Sequence, residues 1–479
     1  MEHESASKTD DSPSRRDLLK MGLGASVLVA TARKSRADDA TVLERHDAAT
    51  LTDDQKQSFC LAIRTMKTIP APWDPTLNTY DAIVKMHAFA VRDAMLGRPA
   101  HGENIPARNP SDDSANFGNG HKAAAFFPFH RKVVRLFEHG LNVALAKNGK
   151  PAMGAPYWDW RDNVAHDVIF DKDFLGSSTG DPTQNYALTK KLSTHFHPDV
   201  FPINIVTTPM GSGDGVNQCP FPNVTRAAAT AGTQPIFPTS LFTEMALPTS
   251  TEVEQALAIE TYDLAPYDGL AKTLYDVNFD DPGNAAAASQ ASFRNHFEGN
   301  WPPPPNFSPA NPGDKRMFAG GGLHNRVHAW IAGSWKPTSN SWRFNGGSRS
   351  WDALTTAAST KAATGGSCTD AVCTVDAQLP YYVGTMLALQ TSLNDPIFFL
   401  HHSYCDYIWQ QWMEKHQKLS VESGSYLPVS GAATGWNADD AMYPYSMFQG
   451  KPGIGTDITP RSLAIDTQKL GYTFVKNRA

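Results

Sequence analysis

Apolar residues recur at helical spacing in five stretches of the chain. Residues 52–69 open on Thr52-Asp53-Asp54, side chains suited to capping a helix start, and then show a helical apolar stripe. Residues 79–97 give a second amphipathic segment. Residues 123–147 give a third, with Phe126, Phe129, Val133, Leu136, Phe137 and Leu141 on its apolar side. The period returns over 322–332 and strongly over 395–417. Between these lie a polar Gly/Asn/Asp loop from Gly97 to Gly120, an irregular Pro/Thr/Gly-rich stretch over about 165–285, a proline-rich run from Pro302 to Pro312, and a Ser/Thr/Gly/Ala segment over 336–378. Stretches 165–285, 300–320 and 336–378 therefore read as loop insertions. No fixed-period repeat is present. The pattern predicts a mainly α fold with a four-helix bundle core, long irregular loops and a few short strands. One of those strands is expected at Lys469–Phe474.

The chain has 479 residues, 41% hydrophobic and 19% charged, which is long enough and apolar enough to bury a large core. Its net charge of −6, with no long basic run, argues against nucleic-acid binding. Ser14-Arg15-Arg16-Asp17-Leu18-Leu19-Lys20 followed by the short apolar stretch Met21–Ala32 resembles a bacterial twin-arginine signal. Residues 1–37 then form a signal peptide, with cleavage after Ser35-Arg36-Ala37 or after Ala30-Thr31-Ala32. The protein is expected to be exported folded, to the periplasm or beyond. The apolar stretch is too short to span a bilayer, and no other segment reads as a span. Of five cysteines, Cys368 and Cys373 share a loop and could bridge locally; the odd count leaves at least one unpaired.

Sixteen histidines shift attention to metal chemistry. His324 and His328 are four apart, so a helix places both imidazoles on one face. His121 and His130 bracket the start of the third helix, His87 lies on the second, and His401-His402 open the last. Singly, each is more often structural than ligating. Together they supply two groups of three in aromatic sequence, without a cysteine or a paired carboxylate. Such a set suits copper, zinc, nickel or iron. A zinc hydrolase would usually keep a carboxylate base nearby.

Four motifs carry a family resemblance. Gly120-His121-x8-His130-Arg131, with Phe127-Pro128-Phe129, resembles the first copper motif of tyrosinases, and Tyr157-Trp158-Asp159-Trp160 resembles the segment downstream of it. Leu323-His324-Asn325-Arg326-Val327-His328-x-Trp330 and Asp395-Pro396-x-Phe398-x-x-His401-His402-x3-Asp406-x2-Trp409 resemble the two halves of the second. The resemblance implies a catalytic domain over 38–446 and a short C-terminal tail over 447–479. It implies two copper ions, one held by His87, His121 and His130 and the other by His324, His328 and His402. His401 would pack or hydrogen-bond nearby, and Asp406 would orient an imidazole or lie on the helix surface.

The activity implied is oxidation of phenols by dioxygen: ortho-hydroxylation of monophenols such as tyrosine, and oxidation of o-diphenols to o-quinones. Asn325 and Glu298, the latter in Phe293-Arg294-Asn295-His296-Phe297-Glu298-Gly299, match residues that hold a water for the monophenol step. Leu389 matches the residue shielding the first copper. Asn119 stands where fungal and plant relatives carry a thioether-forming cysteine. Tyr443-Pro444-Tyr445 resembles the motif closing the catalytic domain, and Arg45 could stack on it. The partners expected are a phenolic substrate and dioxygen, with a copper-delivery protein left open. The competing readings are a catechol or o-aminophenol oxidase lacking the first step and, more remotely, a dioxygen-binding protein.

Overall fold

Helix α1 (Asp53–Met66) begins where the sequence places a cap. Thr52 accepts from the Gln55 N–H, and the Gln55 side chain accepts from the Thr52 N–H, so two otherwise unpaired donors are satisfied. Its face of Phe59, Ile63 and Met66 is buried against α3. Helix α2 spans Thr79–Leu96 and α3 spans Phe126–Lys147, close to the stretches predicted. The computed structural model describes residues 42–96, 120–171, 174–175, 247–267, 290–299, 322–332, 334–335, 368–369, 372–373, 382–383, 386 and 392–475. All described residues from Leu43 onward belong to one compact unit.

Two further helices lie inside the stretch read as irregular. Helix α4 (Asn163–Ile169) starts on Asp162, which accepts from the Val164 N–H. Helix α5 (Ser250–Ala258) carries a capping box between Thr249 and Glu252. Both are too short for their apolar period to stand out, α5 burying only Val253 and Ala256, so the caps were the available signal. Helix α6 (Phe293–Glu298) follows, then α7 (Gly322–Ala332) and α8 (Ile397–Lys415). Helix α3 is the hub, touching α1, α2, α6 and α8. The core around it is aromatic: Phe137 stacks on Phe399 at 3.8 Å, and Phe293 stacks on Phe127 and Trp412. Among the described residues, no helix is long and apolar enough to cross a membrane.

The first and last strands of the described residues meet. Strand β1 (Leu43–Arg45) pairs in parallel with Tyr472–Phe474, the strand expected near the C-terminus. Arg45 lies 3.6 Å over the Tyr472 ring, not on Tyr443 or Tyr445. Tyr445 instead donates to the Phe129 carbonyl at 3.0 Å, on the helix carrying His130. Residues 447–475 pack onto the bundle rather than trailing from it. Arg131 donates to the carbonyls of Leu463 and Ile465, and Lys132 to Ile454 and Asp457.

Asp406 is neither a surface acid nor an imidazole acceptor. It is buried and accepts from Arg45 Nη1 at 2.8 Å, Arg131 Nε at 2.6 Å and the Tyr472 hydroxyl at 2.6 Å. Two cations in reach outcompete a neutral ring for its oxygens. A buried network of this kind costs about 3–5 kcal/mol when one member is removed, because its partners stay buried and uncompensated.

Residues 1–37, His101, His195, His197, Leu389 and the 300–320 insertion lie outside the described residues. Of 336–378, Cys368–Thr369 and Val372–Cys373 pair antiparallel, with Cys368 opposite Cys373 in register. Cys60 is disulfide-bonded, and Cys405 is free and buried.

Candidate metal centre

Each candidate imidazole is placed by a local feature. His87 lies two turns into α2. His130 lies one turn into α3, and its Nδ1 donates to the Phe126 carbonyl at 2.9 Å. His121 precedes α3 on a tight segment. A Cβ on Gly120 would come within 2.9 Å of the Phe129 ring, and Lys122 takes a left-handed φ of 51°. His324 and His328 share one face of α7, while His402 comes from α8. His328 Nδ1 donates to the Met386 carbonyl at 2.8 Å, and His324 Nδ1 pairs with Asn325 Oδ1 at 2.8 Å. With Nδ1 engaged in this way, Nε2 is the nitrogen left with a lone pair.

Those Nε2 atoms converge in two groups. His87 Nε2 lies 3.2 Å from His121 Nε2 and 3.4 Å from His130 Nε2. His402 Nε2 lies 3.3 Å from His324 Nε2 and 3.2 Å from His328 Nε2. Two imidazole nitrogens each about 2.0–2.1 Å from one metal, at an angle of roughly 105°, lie about 3.3 Å apart, which is the spacing of these pairs. Two such neighbouring nitrogens, both lone-pair acceptors, repel unless a cation lies between them. The two groups adjoin, the His130 ring stacking on His402 at 4.2 Å between centroids.

Burial keeps five of these rings, His121, His130, His324, His328 and His402, neutral. It lowers His130 to about 3 and His328 to about 4, and holds His121, His324 and His402 well below the ordinary imidazole range. Neutral imidazoles are the ligating form, so the donor set fits a metal that accepts all-nitrogen coordination.

His401 is the neighbour of His402 and also lies in the second group, whose ligand atoms fall within 4.8 Å of one another. The short nitrogen–nitrogen approaches are made by His402. His401 packs its ring against Trp160 and His324, and both of its nitrogens are buried without a hydrogen-bond partner among the described residues.

Glu298 ends α6 beside the first group. Its Oε1 accepts from the Lys122 N–H at 2.5 Å and lies 3.8 Å from His121 Nδ1. Its Oε2 accepts from Arg294 at 3.1 Å. Burial pushes its carboxyl up to about 7, against the opposing pull of Arg294 and the Lys122 N–H. Sequence pattern gave no sign of Asp263 as a neighbour of the site, because its pairing with Arg294 joins segments 31 residues apart. His166 is buried in α4 with its ring against Trp330 and belongs to neither histidine group.

The family profile for the common central domain of tyrosinase matches residues 77–415, most of the chain and all seven clustered histidines. The chain belongs to the tyrosinase family. It is a copper-dependent phenol oxidase with two copper ions. The tyrosinase of Streptomyces antibioticus is 25% identical over 432 residues, covering 90% of this chain and 98% of that one. The tyrosinase of Streptomyces lincolnensis is 25% identical over 405 residues, covering 84% and 92%. Among solved structures, a polyphenol oxidase variant from Thermothelomyces thermophila aligns at 15% identity with a TM-score of 0.38, covering 96% of this chain and 94% of that one.

Proposed function

We propose that this family member hydroxylates monophenols and oxidises o-diphenols, with His87, His121 and His130 holding one copper and His324, His328 and His402 the other. The observation that carries the ligand assignment is the convergence of two sets of neutral, buried Nε2 atoms at metal-ligand spacing. The bound copper pair would activate dioxygen and pass it the electrons that the phenol gives up. In sum, one monophenol and one dioxygen give one o-quinone and one water.

The chain's own residues handle position and protons. A phenol releases its proton near pH 10, so hydroxylation at neutral pH benefits from a base. Glu298, pushed up to about 7 by burial, is matched to that task better than an ordinary carboxylate near 4.5. Its protonated form would return the proton. Asn325 turns its Oδ1 to His324 Nδ1, which leaves its amide nitrogen as a donor for a water shared with Glu298. Phe126, Phe398 and Trp160 pack around the histidines and limit water access. Leu389 is proposed as the side chain shielding the first copper. Export through the twin-arginine route, and a partner that delivers copper, belong to the same proposal.

The test is metal analysis of copper-loaded protein, followed by side-by-side assays of a monophenol and its o-diphenol. Two coppers per chain with turnover of both substrates is the expected result. Turnover of the diphenol alone would shift the reading to a catechol or o-aminophenol oxidase and remove Glu298 from the proton role. Zinc retained in place of copper would overturn the ligand chemistry.

A further inference from the structure

His121 differs from the other five ligand candidates in one respect: no helix holds it. It sits before α3, beside a residue in left-handed backbone, a strained conformation for a residue that carries a side chain. Something must hold that turn in place. The Lys122 N–H, next in chain to His121, points at Glu298 Oε1 at 2.5 Å. Glu298 is itself held through Oε2 by Arg294 Nη1 at 3.1 Å. Arg294 in turn forks onto Asp263, with Nε to Oδ2 at 2.9 Å and Nη2 to Oδ1 at 3.0 Å. Asp263 is fixed by the Ser292 hydroxyl at 2.7 Å and the Leu264 N–H at 2.9 Å. Asp263, Arg294 and Glu298 are all buried.

The backbone of Glu298 does a second thing. A Cβ on Gly322 would lie 2.5 Å from the Glu298 carbonyl carbon and 2.4 Å from Gly299 N, so the start of α7 rests directly on the end of α6. Helix α7 carries His324 and His328. Glu298 therefore touches the loop of the first group with its side chain and the helix of the second with its main chain.

We infer that Glu298 is a positioning residue for copper binding: the buried relay Asp263–Arg294–Glu298 seats the His121 turn against α7 and so holds the third ligand of the first centre at its working distance from the second. This rests on the two histidine groups being the copper sites. It is separate from a proton role for Glu298, since each carboxylate oxygen can accept more than one hydrogen bond.

The experiment measures copper per full-length chain, and its release to a chelator, for wild type, Glu298→Ala and Glu298→Gln, with circular dichroism of each metal-free form. Wild type is expected to hold two coppers as an EPR-silent pair. Glu298→Ala, with unchanged circular dichroism, is expected to bind one of them roughly 10–100-fold more weakly, the range of lost outer contacts to ligands. The remaining copper then appears as an isolated EPR signal. Glu298→Gln keeps an acceptor for the Lys122 N–H but loses the charge facing Arg294, and is expected to hold two coppers while releasing one about tenfold faster. Two coppers released at the wild-type rate from Glu298→Ala would overturn the inference. If that variant does not fold, wild-type release from Glu298→Gln would do the same. Wild-type protein without two coppers would instead strike the underlying ligand assignment.

Discussion

The two histidine groups have nearly the same size and very different supports. In the second, His324 and His328 are one turn apart on α7, and His402 is about one and a half turns into α8, so all three are carried by helices. In the first, His87 and His130 are helical, while His121 hangs on a left-handed turn held by a carboxylate from another element. One centre is built by local structure and the other is completed by tertiary contact. The second should therefore survive perturbations that empty the first.

Removing a ligand gives the largest effect and tests the choice within the adjacent pair. His402→Ala should lose one copper and phenol oxidation, by more than the roughly 100-fold that outer-contact losses reach. His401→Ala should keep two coppers, because the close nitrogen approaches belong to His402. The reverse pattern in metal analysis would exchange their roles.

Acid should act next most strongly on the metal-free chain. The buried histidines have folded-state values below the ordinary 6.5, about 4 for His328 and about 3 for His130. Their contribution to stability is thus present above 6.5 and is lost as pH falls from there toward those values. Each can cost up to about 1.4 kcal/mol per pH unit. Glu298 has the opposite sign: raised to about 7, it favours the fold below 4.5 and loses that contribution as pH rises through 7. One carboxyl offsets only one of several histidines. Thermal unfolding of copper-free protein should drop markedly between pH 7 and 5, and bound copper should oppose the drop by competing with protons. A flat profile would contradict the buried, neutral state of the rings.

The Asp406 network offers a contrast to the Glu298 relay because it serves both centres. Arg131 follows His130 on α3, and Asp406 lies one turn beyond His402 on α8, so their 2.6 Å contact ties together a ligand helix from each group. Asp406→Ala should cost about 3–5 kcal/mol of stability by denaturant titration. Any loss of copper should then fall on both centres alike. Loss confined to one would show that the helices are held apart from this network.

These differences track what could be read in advance. The six ligand candidates come with the family resemblance of the motifs; the i, i+4 spacing puts His324 and His328 on one helix face, because helix period is a local property. Thr52 gave the start of α1 for the same reason. For Asp406 the spacing from His402 suits either an imidazole acceptor or a helix-surface acid. Its actual partners, Arg45, Arg131 and Tyr472, lie 361, 275 and 66 residues away in the chain, where no spacing rule reaches. The Asp263–Arg294 pairing spans 31 residues and is hidden on the same ground, and α4 and α5 are hidden because helices of seven and nine residues show too few apolar positions to establish a period.

The smallest effect concerns Asn325, which supports the otherwise self-sufficient second centre. Its Oδ1 meets His324 Nδ1 at 2.8 Å, so it orients the ring and makes the opposite nitrogen a better donor to a metal. Asn325→Ala should weaken one copper by about tenfold, the low end for such contacts, because α7 still holds the ring in place. Asn325→Asp offers a charged acceptor to the same nitrogen and should retain or tighten that copper. Both substitutions remove the amide donor proposed to share a water with Glu298, so both should lower monophenol turnover relative to diphenol turnover. If alanine and aspartate change copper release equally, the 2.8 Å contact has no bearing on the metal. If the substrate ratio also stays at the wild-type value, Asn325 is a helix residue that happens to face a ligand, and the proton path would have to run through Glu298 without it.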